Sequence, residues 1–188
     1  MNIRPATLED AGHFVRVFEL ASYGLAPYFW QQTAGEGGDP QKVAMKSMRN
    51  KLANAAPNTA LVIEVDGEVA GGIITYDIGG TPEEMPADCD PVIVPLIELE
   101  NRALNTHYVN ALAVFPEFQG RGLGTTLLRR VEANAGTEGL SLVVEDQNIQ
   151  ARNLYEREKY MASFSVPIFR GGWDTTAKAY ILMKRKAV

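Results

Sequence analysis

Between the apolar run HYVNALAVF and the amphipathic run TTLLRRVEANA the chain places PEFQGRGLG, with Gly120, Gly122 and Gly124 crowded around Arg121. No other stretch limits the fold so tightly. The first run reads as a strand and the second as a helix. Glycines gathered at such a junction signal backbone at positive φ, or a surface that something approaches closely. A helix start presents unpaired N–H groups and the positive end of the helix dipole, so the loop has the makings of a phosphate site. Arg121 would add a charge-assisted contact. The plainer alternative is a tight strand-to-helix turn without a ligand.

Two phosphate-binding patterns can be tested by inspection. The chain contains no GxxxxGK[ST] string, which excludes a P-loop. A dinucleotide fold is harder to set aside, because Glu145 closes the next strand where a ribose-binding acid belongs. That fingerprint, however, wants its third glycine where Thr125 stands, and it normally opens a series of parallel strands rather than arriving late. An NAD(P)-dependent oxidoreductase therefore stays as a rival.

The rest of the chain alternates strand and helix signals. NIRPA reads as a strand. Thr7 and Asp10 make a capping-box start to a helix with Ala11, Phe14, Val15, Phe18 and Ala21 at helical spacing, which Gly24 and Pro27 should end. PYFWQQTAGEGG reads as an aromatic, glycine-rich loop, and Asp39 with Pro40 as the N-cap and first position of a helix reaching Asn54. TALVIEVDGEVAGGIITYDI is a hairpin about Asp66 and Gly67. TPEEMPADCDP is an acidic, turn-rich insertion, and Pro95 should keep VIVPLIELE from being a regular central strand or a helix interior. LSLVVED is apolar as buried strands are; a helix from Asn148 to Glu158 and the strands ASFSVPIF and KAYILMKRK close the chain. The expected class is α/β, a mixed sheet covered by helices, in a single domain spanning residues 1–188.

Val114, Pro116, Gln119, Gly120, Arg121, Gly122, Leu123 and Gly124, followed by Thr125 to Leu128, resemble the acetyl-CoA binding motif of the GNAT N-acetyltransferases, Q/R-x-x-G-x-G/A. NIQARNLYEREKY resembles the second motif of that family through Asn148, Ala151, Leu154 and Tyr155. Lys159 departs from it, since a glycine usually precedes the closing aromatic residue, here Tyr160. The resemblance runs from Val109 to Tyr160. It implies a single-domain GNAT fold, α/β (α+β), whose mixed, mostly antiparallel sheet has about six or seven strands flanked by about four helices. It also implies that main-chain groups of Leu112, Ala113 and Val114 pair with the pantetheine arm of acetyl-CoA. The pyrophosphate would lie on the amides of Gln119, Gly120, Arg121, Gly122, Leu123, Gly124 and Thr125, with Arg152 nearby, while Asn148 and Tyr155 belong to the helix under the cofactor.

Acetyl transfer to an amine needs a neutral nitrogen, a polarised carbonyl and a proton for the leaving sulfur. By the same resemblance Tyr155 is the general acid, and a phenol pKa of about 10 lies close to that of a thiol. A backbone N–H near Leu112 or Ala113 would polarise the carbonyl. Tyr108 and Asn110 share the strand face that relatives turn toward the acceptor, yet neither is a convincing base. Glu98 and Glu100 lie just upstream and are the candidates to bind a cationic amine or relay its proton. His107 points to the opposite face and His13 sits on the first helix, so both are expected to be structural. In this family the first two helices and their connection line the acceptor pocket; here they supply Tyr28 and Trp30, with Tyr23 and Phe29, whose ring faces suit a cation.

Charge supports this reading. The net charge is -5, unlike that of a chain that neutralises phosphate along nucleic acid. Lys and Arg are absent between Lys51 and Arg102, where ten acids fall, whereas from Arg102 onward twelve basic residues face eight acidic ones. An anionic partner on the later half and a cationic one on the middle would fit that split. No apolar run approaches the roughly 20 residues of a membrane span. The opening MNIRPATLED has no apolar signal core, and Cys89 is alone, so a cytoplasmic chain without disulfides or a metal cluster is expected. The sequence thus points to transfer of acetyl from acetyl-CoA to a primary amine of a small molecule or peptide, by direct attack in a ternary complex. A homodimer stays open, since related enzymes are often dimers, and the second rival is a non-catalytic CoA-binding module.

Overall fold

The structure, a computed structural model, describes residues 1–187. In chain order the elements are β1 (Asn2–Pro5), α1 (Ala11–Ala21), α2 (Leu25–Ala34), α3 (Pro40–Ala53), β2 (Ala60–Val65), β3 (Glu68–Asp77), α4 (Val94–Glu100), β4 (His107–Val114), α5 (Leu123–Val131), β5 (Leu140–Glu145), α6 (Ile149–Arg157), β6 (Met161–Pro167) and β7 (Ala179–Arg185). The strands make one seven-stranded sheet in the order β1-β2-β3-β4-β5-β7-β6. β4 and β5 run parallel, and β1–β2, β2–β3, β5–β7 and β6–β7 run antiparallel. This is the mixed, mostly antiparallel α/β architecture that the sequence led us to expect.

Contacts gather into two compact units, Met1–Thr75 with Ala111–Val131, and Tyr76–Asn110 with the chain from Glu132 onward. In the first unit α1, α2 and α3 pack on one another and α5 packs on β2. The core there joins Phe14, Val15 and Val17 of α1, Trp30 of α2, Met48 of α3, Val62 and Ile74 of the hairpin, and Ala111, Ala113 and Phe115. Local signals set the element ends. Asp10 accepts the Thr7 N–H at 2.7 Å, as the capping box requires. Asp39 Oδ1 accepts the Gln41 N–H at 2.9 Å ahead of Pro40. Asp66 (φ 53°) and Gly67 (φ 85°) form the left-handed pair that closes the β2–β3 hairpin.

Two expectations fail, and proline misleads in both. The segment read as an aromatic loop is α2, and Gly24 and Pro27 join two helices rather than ending one. Tyr23 (φ 52°) and Gly24 (φ 94°) turn the chain, Ser22 Oγ accepts the Ala26 N–H at 3.0 Å, and Pro27 stands in the first turn. An N–H missing there has no intrahelical partner to lose. In the same way Pro95 is the second residue of α4, a short helix where a broken segment was expected. These two helices raise the number among the described residues from the four expected to six.

In the second unit α4 packs on β6 and β7. β5 pairs with β4 on one side and β7 on the other, and both of its faces are buried, which is why its sequence is apolar almost throughout. His107 is buried, with Nδ1 2.6 Å from Asp77 Oδ1.

Candidate active site

The glycine loop lies in the first unit. Gly120 and Gly122 both have φ 75°, where a side chain is strained, and nothing among the described residues lies within 4 Å of the position a Cβ would take at either. The first bond of α5 runs from the Thr126 N–H to the Gly122 carbonyl at 3.1 Å. Among the described residues no acceptor takes the N–H groups of Gly120, Arg121, Gly122, Leu123, Gly124 or Thr125. Open space beside a run of unpaired amides at a helix start fits a diphosphate.

Neighbouring groups hold this loop in place. Arg16 of α1 makes a two-pronged pair with Glu117, both bonds at 2.7 Å, and its guanidinium lies 4.1 Å from the Phe115 ring centre. Gln119 Nε2 donates to the Val114 carbonyl at 3.1 Å, tying the end of β4 to the turn. Arg121 is exposed, 5.5 Å from the Phe118 ring centre. Along β4 the side chains of Ala111 and Ala113 are buried, while Leu112 and Val114 are half-buried.

The residues proposed for chemistry lie in the second unit. Tyr155 of α6 is 8% exposed, its ring 5.9 Å from that of Tyr160. Burial, and then the charge of Glu145, push its phenol above the ordinary value. Asn148 is the N-cap of α6, its Oδ1 accepting the Ala151 N–H at 3.1 Å, and Arg152 Nη1 donates to the Asp146 carbonyl at 3.1 Å. Tyr108 is 4% exposed on β4, its ring 5.1 Å from that of Tyr76, and Asn110 is half-buried on the same strand. Of the two α4 acids, Glu98 is exposed, whereas Glu100 is half-buried and, after burial and Tyr108, its charge helps to push the Tyr76 phenol up. The acceptor candidates of the first unit separate as well. Trp30 is packed into the core, and Tyr28 is half-buried, its ring 5.2 Å from that of Phe29.

Sequence reasoning gave Glu145 only to the rival dinucleotide reading. The structure buries it to 6% exposure at the end of β5, directly opposite Tyr180 of β7. Burial and the neighbouring Asp146 carboxylate, opposed by the backbone N–H of Glu145, raise its pKa to about 7. One signal was present in the sequence: an acid closing a strand whose other residues, Ser141 apart, are apolar.

Among the described residues no His, Cys, Asp and Glu are grouped to hold a metal ion, and no helix is long and apolar enough to cross a membrane. The acetyltransferase (GNAT) family model matches residues 22–160, and the chain belongs to that family. Acetyl transfer is thus the general chemistry of its class. No curated protein sequence matches the chain. Solved structures share its fold at low identity. An N-acetyltransferase from Staphylococcus aureus Mu50 is 18% identical, covers 97% of this chain and 99% of its own, and has a TM-score of 0.61. Naa20 of Chaetomium thermophilum, solved with a bisubstrate analogue, is 17% identical over 99% of this chain and 86% of its own, with a TM-score of 0.63. The PaiA N-acetyltransferase of Thermoplasma acidophilum, solved with coenzyme A, is 16% identical over 98% of both chains, with a TM-score of 0.59.

Proposed function

We propose that the protein is an N-acetyltransferase that moves the acetyl group of acetyl-CoA to a primary amine by direct attack, with both substrates bound. The observation that carries this reading is the run of unaccepted N–H groups from Gly120 to Thr125 beside open space. Those amides would take the diphosphate, aided by Arg121, while the main chain of Leu112, Ala113 and Val114 takes the pantetheine arm and Asn148 and Arg152 flank the cofactor. Bound there, the thioester supplies an activated acetyl group.

The remaining work falls to side chains. Tyr155 protonates the sulfur as it leaves. Burial raises the phenol above the value at which it would match a thiol, so its proton moves in concert with carbon–sulfur cleavage, as charge gathers on sulfur. Glu98 and Glu100 draw a cationic amine, which Tyr108 and Asn110 contact; Trp30, closed into the core of the first unit, is a packing residue. The acidic middle of the chain favours a small cationic amine or a peptide amine over an anionic acceptor.

A thermal-shift comparison of CoA, acetyl-CoA and NAD(P) is the first test, because a ligand bound to the folded state raises its melting temperature. CoA and acetyl-CoA should raise it and NAD(P) should not. A rise with NAD(P) alone would replace this reading with the oxidoreductase. Thiol release across a panel of amines then separates an enzyme from a module that only binds CoA.

A further inference from the structure

The parallel pairing of β4 and β5 sets Tyr108 beside Ser141, and the antiparallel pairing of β5 and β7 sets Glu145 opposite Tyr180. Side chains alternate along a strand, so Ser141, Val143 and Glu145 share one face, and Tyr108 and Tyr180 stand on it with them. That face is dry: Glu145 is 6%, Tyr108 4% and Tyr180 2% exposed. Yet its polar groups are not all satisfied. Among the described residues the Tyr180 hydroxyl is buried without a hydrogen-bond partner, and so is Nε1 of Trp173, whose ring stacks on Tyr180 at 6.3 Å. Among the described residues no Lys or Arg pairs with the Glu145 carboxylate. A carboxylate buried without a cation, beside an unsatisfied hydroxyl, is costly to keep for packing alone.

From this cluster we infer that Glu145 accepts the proton the attacking amine must lose, and that it works as a pair with Tyr155. The inference rests on the acetyltransferase reading above. In the step, the amine nitrogen bonds to the acetyl carbon, one N–H breaks and its proton goes to a Glu145 oxygen. The carbon–sulfur bond breaks with its electron pair on sulfur, and sulfur takes the Tyr155 proton. Glu145 then returns its proton to the phenolate, which restores both groups. No oxidant or further reactant is needed.

The charge of Glu145 gives the two events an order. While ionised, Glu145 holds the proton on Tyr155; once it has taken the amine's proton that hold is released, and the phenol becomes a better acid as the thiolate appears. Among the described residues the titratable groups around Glu145 are Tyr108 from β4, Tyr180 from β7, Tyr155 from α6 and Asp146 next in the chain, with Arg152 bonded to the Asp146 carbonyl. With its pKa at about 7, the carboxyl can both take a proton and give it back near neutral pH.

The test is a pH profile of kcat/KM with acetyl-CoA and two probe acceptors, 1,4-diaminobutane and a peptide with a free α-amine, whose amines differ in pKa by about two units. If Glu145 is the acceptor of the proton, an ascending limb near pH 7 appears with both amines. Glu145→Gln then removes the limb and lowers kcat/KM about a hundredfold or more, Glu145→Asp restores part of each, and the acetyl-CoA thermal shift of both variants matches wild type. A limb that moves with the basicity of the amine, or a Glu145→Gln enzyme with wild-type rate and limb, overturns the inference and leaves the acetyltransferase reading intact. If wild type binds acetyl-CoA but acetylates neither probe, both fall together.

Discussion

Arg4 grips Asp10 with two nitrogens, Nη1 at 2.8 Å from Oδ2 and Nη2 at 3.0 Å from Oδ1. Its Nε reaches Glu64 Oε1 at 2.7 Å, so one guanidinium ties β1 to β2 and to the start of α1. Burial alone would raise the Asp10 carboxyl, but the Arg4 and Thr7 bonds outweigh it and hold the group below its ordinary value. A carboxylate depressed in this way contributes stability above its unfolded pKa and loses it as pH falls through the folded one. Asp10→Asn should therefore cost about 2 kcal/mol at pH 7, between the values for an exposed and a fully buried pair, because solvent reaches Arg4 but not Asp10. The cost should shrink toward pH 3. Urea melts at both pH values check this, and an equal cost at each would mean that the carboxylate charge contributes nothing.

At Gly122, φ 75° makes any side chain strained, and an added Cβ would enter the open space beside the bare amides. Gly122→Ala should cost about 1 kcal/mol of stability through the backbone alone. Its larger effect should be on ligand: the melting-temperature rise with acetyl-CoA should shrink in Gly122→Ala and vanish in Gly122→Val. An undiminished rise in the valine variant would place the diphosphate elsewhere.

What the sequence disclosed was local. The capping box at Thr7 and Asp10, the N-cap at Asp39, the Asp66–Gly67 turn and the glycine loop are each written within a few residues, and the structure has them all. α2 and α4 were missed because Pro27 and Pro95 read as breaks, although a first-turn proline breaks nothing. The Glu145 cluster was legible only as an acid closing an apolar strand. It depends on which residue of β7 lies opposite the last residue of β5, and that register is set by pairing between segments far apart in sequence.

Replacing Tyr155 by Phe removes one oxygen and leaves the ring that meets Tyr160. If this phenol protonates the sulfur, turnover should fall about a hundredfold or more, while the acetyl-CoA thermal shift stays at the wild-type value. Single-turnover thiol release with a saturating amine separates the two readouts. An unchanged rate would leave Tyr155 a packing residue.

Lys159 occupies the bend after α6 at φ 69°, just before buried Tyr160. Left-handed backbone costs an ordinary residue about 1–2 kcal/mol relative to glycine, which explains why a glycine usually stands at this place in the family motif. Lys159→Gly should relieve that strain, offset in part by the freer unfolded chain, for a net gain of about 1 kcal/mol or a melting temperature higher by about 3 °C. A lower melting temperature would mean that the lysine side chain makes contacts worth more than the strain.

Glu145 is also a stability device of opposite sign to Asp10. Its folded pKa of about 7 lies above its ordinary value, so the folded state binds the proton more tightly than the unfolded chain does. The stability this confers is full below the unfolded carboxyl pKa, is lost as pH rises toward 7, and changes no further above that. From the size of the shift the loss is about 3 kcal/mol across the window. Glu145→Gln, which cannot ionise, should be flat there and should be more stable than wild type at pH 8. Asp10 does not obscure the measurement, because its own contribution changes only at lower pH. Denaturant melts of wild type and variant between pH 5 and pH 8 give the difference directly. Parallel curves would show that Glu145 titrates alike in the folded and unfolded chains, and that its carboxyl is not the buried, proton-holding group described above.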